Sequence, residues 1–252
     1  MSIEEMCKTL RLPYIRDNYK QAIGEASMED MDFETFLEAL LQEEVHMRKE
    51  NGIRRRIKRA RFPYNLLLND YETKHLNPEI RKKIKQLSTL EFIDNGENII
   101  LIGNPGTGKT ALSIALGMKA CIEGKTVLFI NIADFLIQIK EALSNNEVSI
   151  YKRKFEKYDL IILDEFGYCS FDKARGELLF NILSSRNEKG SMIITSNLTF
   201  DRWDEIFRDQ IITGAIVDRL AYKSHLIEMS GESFRIIATK KWNEKNGTSV
   251  PS

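Results

Sequence analysis

From residue 98 onward the chain alternates short, unbroken apolar runs with longer segments of helical periodicity. The runs at 98–102, 126–130, 160–163, 191–195 and 226–229 are bounded by polar or turn residues, and each reads as a strand. Segments 110–121, 133–143, 176–187 and part of 203–220 read as helices between them, with an amphipathic basic helix at 78–90 in front. Strands that stay apolar at every position, instead of alternating, are covered on both faces. The pattern therefore predicts an α/β fold with a five-stranded parallel sheet flanked by helices.

Ahead of that alternation, residues 1–68 read as helices and turns only, a small all-α domain. Phe33, Phe36, Leu37, Leu40, Leu41 and Val45 recur at three- and four-residue spacing and predict one apolar helix face. Asp32 suits its N-cap, Gly24 and Ser27 mark a break before it, and Gly52 one after it. Between Arg48 and Arg61 the composition turns basic, with eight cations (Arg48, Lys49, Arg54, Arg55, Arg56, Lys58, Arg59, Arg61) against one acid, Glu50. The polar, turn-rich stretch 69–77 ahead of Pro78 reads as a junction, dividing the chain into 1–68 and 69–252.

Length and composition permit this arrangement and exclude several others. The 252 residues suffice for one substantial α/β domain and a smaller appendage. Lysine and arginine balance aspartate and glutamate at 37 each, so overall charge implies no partner. No apolar run approaches the roughly 18–20 residues needed to span a bilayer. The acidic N-terminus MSIEEMCKTL lacks the order of a secretion signal, so a cytoplasmic protein is expected. Cys7, Cys121 and Cys169 have neither metal nor disulfide spacing, and His46, His75 and His225 are equally scattered.

The chemistry is concentrated after the first strand, where Gly103-Asn104-Pro105-Gly106-Thr107-Gly108-Lys109-Thr110 forms a complete P-loop between strand and helix. Gly103, Gly106 and Gly108 let backbone N–H groups curl around phosphates, and the following helix adds the positive end of its dipole. Lys109 can reach the β- and γ-phosphates of ATP, and the Thr110 hydroxyl can ligate Mg²⁺. A third strand, LIIL, delivers Asp164 to hold Mg²⁺ and Glu165 to act as general base toward the attacking water. ATP hydrolysis is the expected activity.

Asn197 closes the next strand, where its amide could sense the γ-phosphate; the alternative is an ordinary turn asparagine. Arg219 is the best candidate for an arginine finger, supplied by a neighbouring molecule, against the reading of a surface arginine. Arg186 and Arg235 are weaker candidates for nucleotide or interface contacts. The basic run is either a solvated helix face or a nucleic-acid surface. Eight cations beside Phe62 and Tyr64 favour the second, with Arg54, Arg55, Arg56, Lys58, Arg59 and Arg61 touching the DNA backbone without reading sequence.

Taken in order, the P-loop, LIILDE, TSN, TFDRWDEIF, AIVDRL and HLIEMSGESFR resemble the IstB-type transposition helper ATPases. These are relatives of the DnaC-type helicase loaders within the AAA+ class. The basic RRRIKRARFP segment is also similar to the family's, so the resemblance spans nearly the whole chain. It implies ATP-dependent assembly on double-stranded DNA, action with a partner transposase, and a homo-oligomer with nucleotide at subunit interfaces. Only a short stretch follows the fifth strand, so no separate C-terminal lid is expected and no sensor arginine on one is evident. A DnaC-like loader of a replicative helicase shares the same core, so the core alone does not separate the two. A P-loop kinase for a small metabolite would leave the basic segment unexplained.

Overall fold

All five apolar runs form strands, each within a residue or two of its expected place. They are β1 (Asn98–Ile102), β2 (Val127–Asn131), β3 (Leu160–Asp164), β4 (Ser191–Ser196) and β5 (Ser224–Glu228). In this computed structural model the described residues are 1–73, 76–167, 173–186, 189–207, 209–231, 233, 234, 236, 239, 242 and 243. His75, Cys169, Arg235 and most of the stretch after β5, on which the expectation of no lid rests, lie outside them.

The strands build one sheet in the order β2-β3-β4-β1-β5, and every pairing is parallel. Their side chains divide between two cores, as period-two geometry requires. Ile99, Leu101, Val127, Phe129, Leu160, Ile162 and Ile193 face one core. Ile100, Ile102, Leu128, Ile130, Ile161, Leu163 and Ile194 face the other. Both faces are covered, which is why the strands carry no polar alternation.

Helix α6 (Lys109–Ile122), with α4 (Pro78–Leu87) and α5 (Glu91–Asp94), covers the first face. The second lies under α7 (Ile132–Ser144), α8 (Val148–Glu156), α9 (Lys173–Arg186), α10 (Asp204–Phe207) and α11 (Gln210–Ala221). Helix α8 has no clear signature in the sequence, because 148–156 mixes one buried aromatic, Phe155, with charged positions. The expected helix 78–90 ends at Leu87, and Leu90, in a left-handed conformation, leads into α5.

The N-terminal third contains α1 (Ile3–Leu10), α2 (Pro13–Met28) and α3 (Phe33–Ala60). Asp32 caps α3 as expected, its Oδ1 accepting from the N–H groups of Glu34 and Thr35 at 3.0 Å each. The two glycine breaks do not occur. Gly24 lies inside α2 and Gly52 inside α3, and the chain turns instead at Asp30, which has φ of 50°. One glycine weakens a helix by only about 1 kcal/mol, and neighbouring helix formers outweigh it. The expected apolar face of α3 also divides: Leu40 is buried and Phe36 half-buried, while Phe33, Leu37, Leu41 and Val45 are exposed.

The chain forms two compact units, Met1–Arg55 and Arg56–Ser252. The stretch 69–77 thus lies within the second unit, where Tyr71 and Leu76 join the core under β1. Its polar letters hide that anchoring. Among the described residues no helix is long and apolar enough to cross a membrane.

Candidate nucleotide site

Parallel strands bring their carboxyl ends to one edge, and the crevice there is the usual ligand site of open α/β sheets. On this edge stand Asn131 at the end of β2, Asp164 at the end of β3, Thr195 and Ser196 at the end of β4, and the P-loop after β1. The loop is held by its surroundings. Gly103 N–H donates to Ser196 O (3.2 Å) and Phe234 N–H to Gly106 O (2.9 Å). A Cβ on Gly103 would collide with the Met229 carbonyl, and one on Gly106, at φ of 82°, with Ser233. Glycine is required at both.

Lys109 folds back over the loop, its Nζ donating to Gly103 O (2.6 Å) and Asn104 O (2.8 Å). Thr107 Oγ1 donates to Asn104 O (2.9 Å). Gly108 stands at the N-terminus of α6 with φ of 91° and no side chain to cap it. The first N–H groups of that helix therefore remain available to an anion. Pro105 is exposed at the loop tip.

Asp164 is buried at the end of β3, and its Oδ1 accepts from Thr110 Oγ1 (2.9 Å) and Thr195 Oγ1 (2.6 Å). Burial pushes its pKa up, while the two hydroxyl hydrogen bonds hold it down. Thr195 has a second contact, accepting from Glu165 N–H at 2.9 Å. One threonine thus ties together the side chain of Asp164 and the backbone of Glu165. Glu165 itself is exposed, with φ of 62°, and its Oε2 accepts from Asn131 Nδ2 at 2.5 Å. Asn131 is also the N-cap of α7, accepting from Ala133 N–H.

Asn197 sits beside Gly167, and its Oδ1 is buried without a hydrogen-bond partner among the described residues. The oxygens of Thr110 and Asp164 make a hard donor pair suited to Mg²⁺, next to a glycine cradle and a lysine suited to phosphate. The residues fit a Mg²⁺–nucleoside triphosphate.

The remaining expected residues stand apart from this cluster. Arg219 is exposed in the last turn of α11 and forms no ion pair with a described residue. Arg186 is a correction: it is fully buried, donating to the carbonyls of Phe155 (2.9 Å), Tyr158 (2.5 Å) and Ser191 (3.2 Å). Burial lowers its pKa to about 10, and it serves as an internal staple, far from the nucleotide or interface role expected of it. In the basic run Arg54, Arg55, Lys58, Arg59 and Arg61 are exposed. Arg56 is half-buried instead, its Nε donating to Cys121 O at 2.7 Å.

Sequence reasoning missed Asn131 and Thr195, although both end strands on the carboxyl edge and that position was the available signal. It also missed the wall of a cavity of about 310 Å³ beside the P-loop, lined by Tyr64, Leu66, Tyr71 and Phe234 together with Gly108, Lys109 and Thr110. In the sequence Tyr64 reads with the basic run. No spacing in the chain announces that wall.

A P-loop on β1, carboxylates after β3 and the strand order β2-β3-β4-β1-β5 define a P-loop core of the AAA+ class. The chain matches the IstB-like ATP binding protein model over residues 5–242, and it belongs to that family. It is 32% identical over 239 residues to a protein named for ATP binding in insertion sequence IS21 of Pseudomonas aeruginosa, covering 95% of this chain and 90% of that one. It is equally 32% identical over 243 residues to the counterpart in insertion sequence IS5376 of Geobacillus stearothermophilus, covering 96% and 97%. Among solved structures it is similar in fold to DnaI, with a TM-score of 0.54 and 22% identity over 71% of this chain and 92% of that one.

Proposed function

We propose that this protein is an ATP-hydrolysing, DNA-binding helper of an insertion-sequence transposition system, assembling on double-stranded DNA and acting with a partner transposase. The observation that carries the reading is the Thr110–Asp164 hydrogen bond beside Lys109, which gathers metal and phosphate ligands at one edge of the sheet. Family membership supports the transposition setting, since the relatives are named for insertion sequences.

In this reading Lys109 exchanges its loop carbonyls for the β- and γ-phosphates of ATP, and the N–H groups of 103–110 wrap the phosphate chain. Thr110 and Asp164 hold Mg²⁺, which when bound neutralises charge on the phosphate oxygens. Glu165 takes a proton from water as the water oxygen attacks the γ-phosphorus; the bond to the β–γ bridging oxygen breaks and ADP leaves. The orphaned Asn197 Oδ1 accepts from that water, and its amide N–H₂ donates to the γ-phosphate. Arg219 enters from a neighbouring subunit to offset transition-state charge. Arg54, Arg55, Lys58, Arg59 and Arg61 bind the DNA backbone, with Arg56 joining through whatever part of its guanidinium is free.

The test combines ATP turnover with sedimentation on duplex DNA. ATP should drive assembly on the duplex, and Glu165→Gln should keep ATP binding, lower turnover at least about a hundredfold and hold the assembled state. A single monomeric species with ATP and DNA both present would sink the assembly reading. Normal turnover in Glu165→Gln would move the base elsewhere.

A further inference from the structure

Tyr71 buries a polar group at the edge of the nucleotide site. It belongs to the stretch 69–77, its ring packs in the core under β1, and only 9% of it is exposed. Its hydroxyl is buried and has no hydrogen-bond partner among the described residues. Folded proteins rarely tolerate this, because a buried donor without an acceptor loses its water and gains nothing in return. Burial raises the phenol's pKa well above its ordinary value, so the group remains an O–H donor throughout the working pH range.

The hydroxyl's position gives it a direction. It lies 3.0 Å from where a Cβ would stand on Gly108, the residue that opens α6, and the ring's Cε2 lies 3.7 Å from the same point. Tyr71 also contributes to the lining of the cavity beside the P-loop, which it shares with Gly108, Lys109 and Thr110, with Tyr64, Leu66 and Phe234, and with the acidic Asp70 and Glu72. The aromatic and aliphatic wall suits the flat face of a nucleobase. The P-loop side suits phosphate. Between them, the part of a nucleotide that can meet a donor at Gly108 is the ribose and its first phosphate.

We propose that Tyr71 is a nucleotide-contact residue, its hydroxyl donating a hydrogen bond to an oxygen of the ribose–α-phosphate portion of the bound nucleotide. This rests on the nucleotide-site reading and deepens it. The ring is held by the core before the ligand arrives, so the donor is already oriented and little side-chain entropy is lost on binding.

Calorimetric titration of ATP, 2′-deoxy-ATP and 3′-deoxy-ATP into the full chain and into Tyr71→Phe tests it. The variant keeps the ring and removes only the orphaned hydroxyl, so its Tm should equal or exceed that of the parent. ATP binding should weaken about tenfold, as loss of one such bond predicts. If the acceptor is a ribose hydroxyl, the matching deoxynucleotide binds both proteins equally; if it is the ring oxygen or a phosphate oxygen, all three nucleotides bind the variant more weakly by the same factor. Unchanged affinity for all three would overturn the proposal, as would a lowered Tm with unchanged affinity, the mark of a structural residue. Lys109→Ala run in parallel separates the two levels. Loss of binding there with none in Tyr71→Phe defeats only the Tyr71 assignment, whereas normal binding in Lys109→Ala defeats the site.

Discussion

Glu165 enters the site under restraint. One of its two carboxylate oxygens, Oε2, accepts from Asn131 Nδ2 at 2.5 Å. That hydrogen bond holds the carboxylate in one rotamer, so under the proposed mechanism it restrains Glu165 from turning toward water. Asn131→Ser retains an oxygen to cap α7 but is too short to reach Glu165. Basal ATP turnover in that variant should rise up to about tenfold at constant ATP affinity, the factor one such bond is worth. Turnover equal to the parent's, measured without DNA, would show that the contact does not restrain the base. Thr195 works differently, since it binds Asp164 and the Glu165 backbone at once and offers no alternative partner.

Among the elements, α2 and α3 show how a helix end is satisfied from a distance. Leu12, the N-cap of α2, offers no side-chain oxygen, and Glu44 of α3 supplies one. Its Oε2 accepts from Tyr14 N–H (2.9 Å) and Ile15 N–H (3.2 Å), and its Oε1 from Arg48 Nε (3.0 Å). Only 2% of Glu44 is exposed, so these bonds are shielded from water. Glu44→Ala should lower the unfolding free energy of the N-terminal unit by about 1–3 kcal/mol, read by denaturant melts. Further along α3, Arg54 and Lys58, and Arg55 and Arg59, recur at four-residue spacing and are exposed. Changing all four to glutamine should weaken duplex DNA binding and flatten its salt slope by about 0.9 for each phosphate that is no longer neutralised. An unaltered slope would return the run to the reading of a solvated face.

At the scale of the whole molecule, the sheet collects Lys109, Thr110, Asp164, Glu165 and Asn197 at one edge, but Arg219 stands outside that cluster. A finger offered to a neighbour makes a specific forecast for mixtures. Lys109→Ala and Arg219→Ala should each be inactive alone. Mixed in equal amounts, they should recover about a quarter of the parent turnover, because a quarter of randomly formed interfaces unite an intact P-loop with an intact finger. No recovery, with mixed assembly verified by cross-linking, would remove Arg219 from the neighbour's site.

Much of this is legible in the letters, and for local reasons. Apolar runs between helical segments determine a two-faced parallel sheet because period and burial are properties of neighbouring residues. The P-loop and the Asp164-Glu165 pair are legible because each motif lies within one strand and its turn. Pairings between distant segments are not. Neighbouring helix formers hold Gly24 and Gly52 in helix against their propensity, while the core draws Arg186 inward to three carbonyls and turns Arg56 toward Cys121. It also places Asn131 on Glu165, across 34 residues, and Tyr71 beside Gly108. The sequence by itself determined which chemistry is present. Only the tertiary structure decided which side chains restrain and complete it, because those pairings depend on which strand ends become neighbours after the sheet has formed.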